Sequence, residues 1–349
     1  MIKSLKSIQI QQANCFDFLR FFFAFQILLY HLAVLSQNEK LTILTVFSNA
    51  NLAVKGFFII SGFLVAKSYL NTTTLKMYFI KRVKRILPAY FFVVFLAALV
   101  LFFVSNLSYS EYYCNADLYK YIVWNSMFMN FVHPCLPGVF YNNFMCVVNG
   151  SLWTLKVEEG FYLVLPLLFF LIFKIKKTAL VLCVIYLLSF LYWYVLDFHF
   201  RKPLFAKQLP GYLSYFCTGI FLFIYHQKLF KKKWLYLGLA ILVILATYKI
   251  NVAINVFYPM ALGTIIIVAA YTIPIFNNFG KYGDFTYGLY IYHFPIIQIF
   301  KQYNLFDKYN PFLMAFCIII MTFIFAIFSW FCVERRFLDR YKKQCINAS

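Results

Sequence analysis

FDFLRFFFAFQILLYH, from Phe16 to His31, is an apolar stretch that nevertheless carries Asp17, Arg20 and His31. A charged or titratable side chain in hydrocarbon costs at least a few kcal/mol, so the stretch is either not membrane-embedded or holds these groups for a purpose. Arg20 and His31 are 11 residues apart, which at ~100° and ~1.5 Å per residue puts them within about 20° of each other and roughly 16 Å apart along a helix. They share one face. Asp17 lies one turn before Arg20, at the i, i+3 spacing of an ion pair.

The rest of the chain places this stretch in a membrane. Hydrophobic residues make up 64% of the 349 residues and charged residues 12%, a balance foreign to soluble globular domains. Apolar runs long enough to cross ~30 Å of hydrocarbon as helices of about 20 residues recur throughout. Ten are predicted, at 16–35, 51–70, 86–104, 152–173, 178–196, 208–226, 234–250, 256–272, 285–301 and 311–333, the fourth and ninth being the most polar. The expectation is an all-α, polytopic protein with one membrane domain over 1–349 and no appended soluble domain. Asp17 and Arg20 interrupt the first run and no small-residue cleavage site follows, so it reads as a retained helix rather than a signal peptide.

A formal charge of +21 could suggest a nucleic-acid binder, but the distribution of the basic residues argues for topology instead. With the N-terminus inside, twenty lysines and arginines fall in cytoplasmic segments, eight in outer segments or at the outer ends of spans, and four deeper within spans. That asymmetry follows the positive-inside rule and predicts both termini in the cytoplasm. No nucleic-acid partner is expected.

Nine cysteines show no CxxC pair and no histidine spacing that would hold zinc, so no metal is expected. Cys114, Cys135 and Cys146 fall in the long connection 105–151, where an oxidising compartment permits one disulfide and leaves one thiol over. The spacing does not choose the pair. This connection, polar and aromatic-rich, is a natural place for a lid or acceptor site.

Further polar residues gather in a few motifs. KRVKRILP presents Arg82 and Arg85 on one helical face, where forked guanidinium groups suit phosphate; the segment reads as a basic inner loop leading into the third span at Pro88. GSLWTLKVEEGFYLVLP places Trp153, Glu158 and Tyr162 at the start of the fourth span, with Glu158 and Tyr162 on one face. YGLYIYHFPI carries Tyr290 and His293 beside a proline. In GFFIISGFL, Ser61–Gly62 suggests close helix packing rather than a nucleophile, because no G-x-S-x-G pattern surrounds the serine.

Together these motifs resemble membrane-bound acyltransferase family 3. The resemblance rests on D-x-x-R-x10-H (Asp17, Arg20, His31), FFIISGFL (Phe57 to Leu64), R-x-x-R-I-x-P (Arg82, Arg85, Pro88), S-L-W-T-L-x-V-E-E-x-F-Y-L (Ser151 to Leu163), Y-G-L-Y-x-x-H-x-P (Tyr287 to Pro295) and the ending Glu334–Arg335. Gly160 and Arg336 depart from the usual Gln and Pro. The resemblance implies an O-acyltransferase of a bacterial inner (plasma) membrane. Its co-substrate would be cytoplasmic acyl-CoA, most commonly acetyl-CoA, and its acceptor a hydroxyl of a surface polysaccharide, lipopolysaccharide or lipid-linked glycan. On that basis His31 is the candidate general base and Glu158 its orienting carboxylate. Arg20, Arg82 and Arg85 are candidates for the donor's phosphates, and Trp153, Tyr162, Tyr290 and His293 for the acceptor. A competing expectation is a proton-coupled transporter of an anion or lipid-linked sugar lined by the same charged residues.

Overall fold

The protein is described from a computed structural model over residues 13–249 and 252–338. Lys3, Lys6, Arg340, Lys342 and Lys343, which contribute to the charge asymmetry, lie outside the described residues, as do both chain ends. Every regular element among the described residues is helical. The long helices are α1 (Phe16–Ser36), α2 (Ala50–Leu70), α3 (Leu75–Val100), α4 (Trp153–Ile175) and α5 (Thr178–Tyr194). They continue with α6 (Leu209–Lys231), α7 (Lys233–Lys249), α8 (Tyr258–Thr272), α9 (Thr286–Gln302) and α10 (Pro311–Ser329). One lies over each predicted span.

Six of them, α1, α2, α3, α5, α8 and α10, with short helical extensions on several, are long and apolar enough to cross a bilayer. The chain is therefore a multi-pass membrane protein. α4 and α6 fall outside that group because they are more polar, α4 through Lys156, Glu158 and Glu159, and α7 and α9 because they are only 17 residues each. α3 departs from its predicted start. It begins at Leu75, so Arg82 and Arg85 stand on a helix rather than in a loop, and Pro88 lies inside it. The run before Pro88 has a helical apolar stripe of its own, with Tyr78 and Ile86 buried eight residues apart, and this overrides the proline as a start signal.

The described residues divide into two compact units. The first contains 13–20, 51–79 and 157–281. Here α2 and α6 cross at glycines, as Ser61–Gly62 led one to expect. A Cβ on Gly62 would lie 3.2 Å from the Cα of Gly219, and one on Gly219 would lie 2.7 Å from the Phe63 nitrogen. Such backbone contact replaces the hydrophobic drive that lipid does not supply. Phe161 stacks on Phe216 with ring centroids 4.5 Å apart. Pro166, within α4, has no N–H for the Tyr162 carbonyl; the Tyr78 hydroxyl donates to that oxygen instead, at 3.0 Å.

The second unit contains 21–50, 80–156 and 282–338. α9 and α10 approach at Gly288, where an added Cβ would lie 2.6 Å from the Cα of Ala326. The connection 105–151 is a built structure rather than a slack loop. It holds the short helices Tyr109–Tyr113, with a Ser108/Glu111 capping box, and Ala116–Ser126. A disulfide joins Cys135 to Cys146 and leaves Cys114 exposed and free, which settles the choice the spacing left open. Gln298 of α9 ties the connection down, donating from Nε2 to the carbonyls of Met145 and Val147, both at 2.8 Å.

Candidate active site

The course of α9 explains how the second unit organises its polar residues. Pro295 deprives the Ile291 carbonyl of its usual helical donor. Asn149 takes that oxygen, donating from Nδ2 at 2.7 Å, while its own Oδ1 accepts the Ser151 N–H at 3.2 Å. The turn 149–151 is thereby docked on α9. Gly150 permits the approach, since a Cβ there would lie 2.7 Å from the Phe294 ring. Beyond the turn, the Thr154 and Tyr290 hydroxyls hydrogen-bond each other, and Tyr290 also donates to the Ser151 carbonyl at 2.9 Å.

This scaffold holds a histidine pair. His31 Nδ1 lies 2.7 Å from His293 Nε2, and the two rings are nearly parallel with centroids 5.1 Å apart. His293 is fully buried and its Nδ1 is 2.9 Å from the Leu289 carbonyl. The carbonyl fixes the proton positions, because it only accepts. His293 Nδ1 therefore carries hydrogen, and the neutral ring offers Nε2 as an acceptor. His31 Nδ1 must then donate to it, which leaves His31 Nε2 with an unshared pair. The Ser151 hydroxyl, 3.3 Å from His293 Nε2, supplies a second, weaker donor to the same nitrogen. His31 itself is only half-buried, its ring nearly perpendicular to that of Phe294 with centroids 5.3 Å apart.

The remaining candidates fall elsewhere. Arg20 Nη1 is 3.9 Å from Asp17 Oδ1, the i, i+3 pair expected from the sequence, and stands on the same continuous helix as His31. Arg85 makes an ion pair with Asp284, which also accepts the Thr286 N–H at 3.2 Å and so caps α9. Its guanidinium is thus oriented by a carboxylate of the protein. Arg82 shares the helix one turn earlier. In the first unit, Glu158 accepts hydrogen bonds from the Tyr162 hydroxyl and, at 3.3 Å, from Ser61. The partner of His31 Nδ1 is a second imidazole, that of His293.

Tyr162, Tyr290 and His293, the acceptor candidates from the sequence, stand inside the protein. All three are buried, and the polar groups of Tyr162 and Tyr290 are spent on internal hydrogen bonds. Trp153 opens α4 and is half-buried. Among the described residues no cluster of His, Cys, Asp and Glu is arranged to hold a metal ion. Ser151, Asn149, Asp284 and Gln298 were not singled out from the sequence. Pro295 hinted at Asn149 alone, by announcing a carbonyl at Ile291 in need of a donor.

The acyltransferase domain family matches residues 14–331, a stretch that contains the histidine pair and everything bonded to it. The chain belongs to acyltransferase family 3. As a member of that family it is an O-acyltransferase, and the transporter expectation is set aside. Nodulation protein 10 of Rhizobium leguminosarum bv. viciae is 31% identical over 315 residues, covering 82% of this chain and 83% of its own length. An O-acetyl transferase of Shigella phage Sf6 is 26% identical over 341 residues, covering 94% of this chain and 97% of its own length. No solved structure matches the acyltransferase significantly.

Proposed function

We propose that this acyltransferase moves an acetyl group from cytoplasmic acetyl-CoA to a hydroxyl of a cell-surface glycan or its lipid-linked precursor, with His31 as general base. The single observation that carries the assignment is the hydrogen-bond chain from the Leu289 carbonyl through His293 to His31, because it leaves one imidazole nitrogen basic and oriented. The acetyl donor is inferred from the name of the phage relative.

In this reading the acceptor hydroxyl gives its proton to His31 Nε2 as its oxygen attacks the thioester carbonyl. The carbon–sulfur bond breaks, the thiolate of coenzyme A leaves, and it recovers the proton from His31. An ester and a free thiol result, so atoms and charge balance without a further reactant. An imidazole with an ordinary pKa of about 6.5 suits such a proton exchange, which typically contributes ~10²–10⁴-fold. Ser151 and His293 act as positioning residues. Glu158, bonded to Ser61 and Tyr162, is assigned an orienting role within its own cluster.

The donor's phosphates are assigned to arginines. Arg20 stands eleven residues before His31 on α1, roughly 16 Å along the axis, a length comparable to the phosphopantetheine arm. Arg82 is proposed as a second contact, and Arg85, held by Asp284, as a guanidinium whose direction is preset. The topology adopted is ten crossings of the inner membrane with both termini cytoplasmic, and Trp153 near the acceptor side. The Cys135–Cys146 disulfide supports an outer placement of the connection 105–151, since such bonds persist in oxidising compartments.

The test is transfer of labelled acetyl from acetyl-CoA to glycan in membranes containing the wild type or His31→Ala at matched protein levels. Loss of about 10²-fold or more is expected. Full transfer by the variant would remove His31 from the mechanism.

A further inference from the structure

Lys55 is not used by this reading, yet its position needs an explanation. It lies on α2, six positions into the helix, in a segment apolar enough to span a membrane. Among the described residues no hydrogen bond or ion pair is formed by its ammonium group. Its neighbours are rings: Nζ lies 5.0 Å from the centre of Tyr258 and 5.5 Å from that of Tyr215. The charges that reach it without an ion pair are one of each sign, Lys207 and Asp197. Aromatic faces stabilise an ammonium by roughly 0.5–2 kcal/mol, but they accept none of its three strong N–H bonds.

The same ammonium borders a cavity of about 240 Å³ within the first unit. Trp193 and the two tyrosines supply flat apolar walls, and Ser214, Thr247 and Asn255 supply neutral hydrogen-bonding groups. Those residues belong to the last turn of α5, the start of α6, the end of α7 and the region of the start of α8. All are helix ends that the positive-inside count assigns to the outer side.

We propose that this cavity is a binding site for an acidic sugar residue, whose carboxylate or phosphate meets Lys55 while the ring lies against Trp193 and the tyrosines. An anion supplies what the aromatic cage lacks, a charge-assisted acceptor for the ammonium. Hydroxyl and amide groups around an aromatic wall suit a polyhydroxylated ring. A lipid headgroup would call for less neutral hydrogen bonding and a greasy exit. The identity of the ligand as part of a glycan acceptor rests on the proposed function; the existence of the anion site does not.

The experiment uses purified full-length protein in detergent and two probes that differ only in the acid, D-glucuronate and D-glucose, with binding followed by tryptophan fluorescence and calorimetry. Glucuronate is expected to bind at least tenfold more tightly than glucose, and Lys55→Met to remove that difference while Lys55→Arg retains most of it. Trp193→Phe is expected to weaken both sugars and abolish the fluorescence response. Acetyl transfer to a neutral acceptor should be unchanged in Lys55→Met, which also reports that the variant is folded. Equal binding of the two sugars, or preference for glucuronate that survives Lys55→Met, overturns the proposal. So does Lys55-dependent binding of phosphatidylglycerol in nanodiscs without any response to glucuronate, which would mark a lipid site. Failure of acetyl transfer in the wild type with glucuronate binding intact would sink the proposed function and leave this site standing.

Discussion

Replacing His293 by leucine tests the histidine pair most directly. The substitution removes the acceptor 2.7 Å from His31 Nδ1, in a fully buried place that a leucine fills without introducing a new polar group. A net hydrogen bond of about 0.5–1.5 kcal/mol is lost, enough by itself to let the His31 proton redistribute between its two nitrogens by up to about tenfold. Freed from its stacked partner, the ring also turns, and a base misplaced by about 1 Å costs on the order of 10² in rate. Acetyl transfer should therefore fall between about 10-fold and 10²-fold, less than for His31→Ala. The loss is expected in kcat, with KM for acetyl-CoA little changed, because the contacts proposed for the donor's phosphates lie on other residues. His293→Gln places an amide oxygen where Nε2 stood and should recover to within about tenfold of wild type. Steady-state kinetics in proteoliposomes, with the monodispersity of each variant checked by gel filtration, decides the matter. Leucine and glutamine variants that both work at the wild-type rate would refute the assigned tautomer and its purpose.

Three further outcomes are expected. Gly62→Val should destabilise the first unit by about 1–3 kcal/mol, since its side chain meets the Phe216 and Gly219 backbone and cannot be accommodated by a rotamer change; an unchanged thermal melt in detergent would contradict the packing described. Cys135→Ser should cost about 2–3 kcal/mol for the closed segment between residues 11 apart, and in non-reducing membranes a maleimide should label Cys114 alone among the three loop cysteines of the wild type. Asp284→Asn keeps the cap on α9 but removes the charge that aims Arg85, so KM for acetyl-CoA should rise several-fold with kcat largely retained; an unaltered KM would remove Arg85 from donor binding.

Much of the architecture was legible because the bilayer simplifies the physics. Only a helix satisfies its own backbone in hydrocarbon, so each long apolar run had one available conformation, and each is helical here. Pro88 misled because a proline inside a helix forfeits one backbone hydrogen bond, a cost that the apolar stripe running through it from Tyr78 to Ile86 outweighs here. In the site, His31 stood out as an imidazole in an apolar run, and its shared face with Arg20 follows from helical spacing alone. His293 was visible, but its part was not, because which nitrogen bonds to which neighbour depends on a contact between residues 262 apart in sequence. Glu158 illustrates the converse. A carboxylate near a histidine motif suggests a familiar pairing, but nothing in its own run marks Ser61 as a group that donates to it. No local pattern marks Asn149, whose task was created by a proline in another helix.

That division of labour between prolines and distant donors has an evolutionary corollary. At Ile291 and at Tyr162, a carbonyl left over by ring closure at Pro295 or Pro166 is claimed by Asn149 or Tyr78. Neither member of such a pair is free to drift alone: without the imino acid, a restored amide competes for the same oxygen, and without the donor, the oxygen is stranded in a dry interior. Changes at 295 and 149, and at 166 and 78, should therefore be inherited in tandem, so that relatives lacking one partner have lost the other as well.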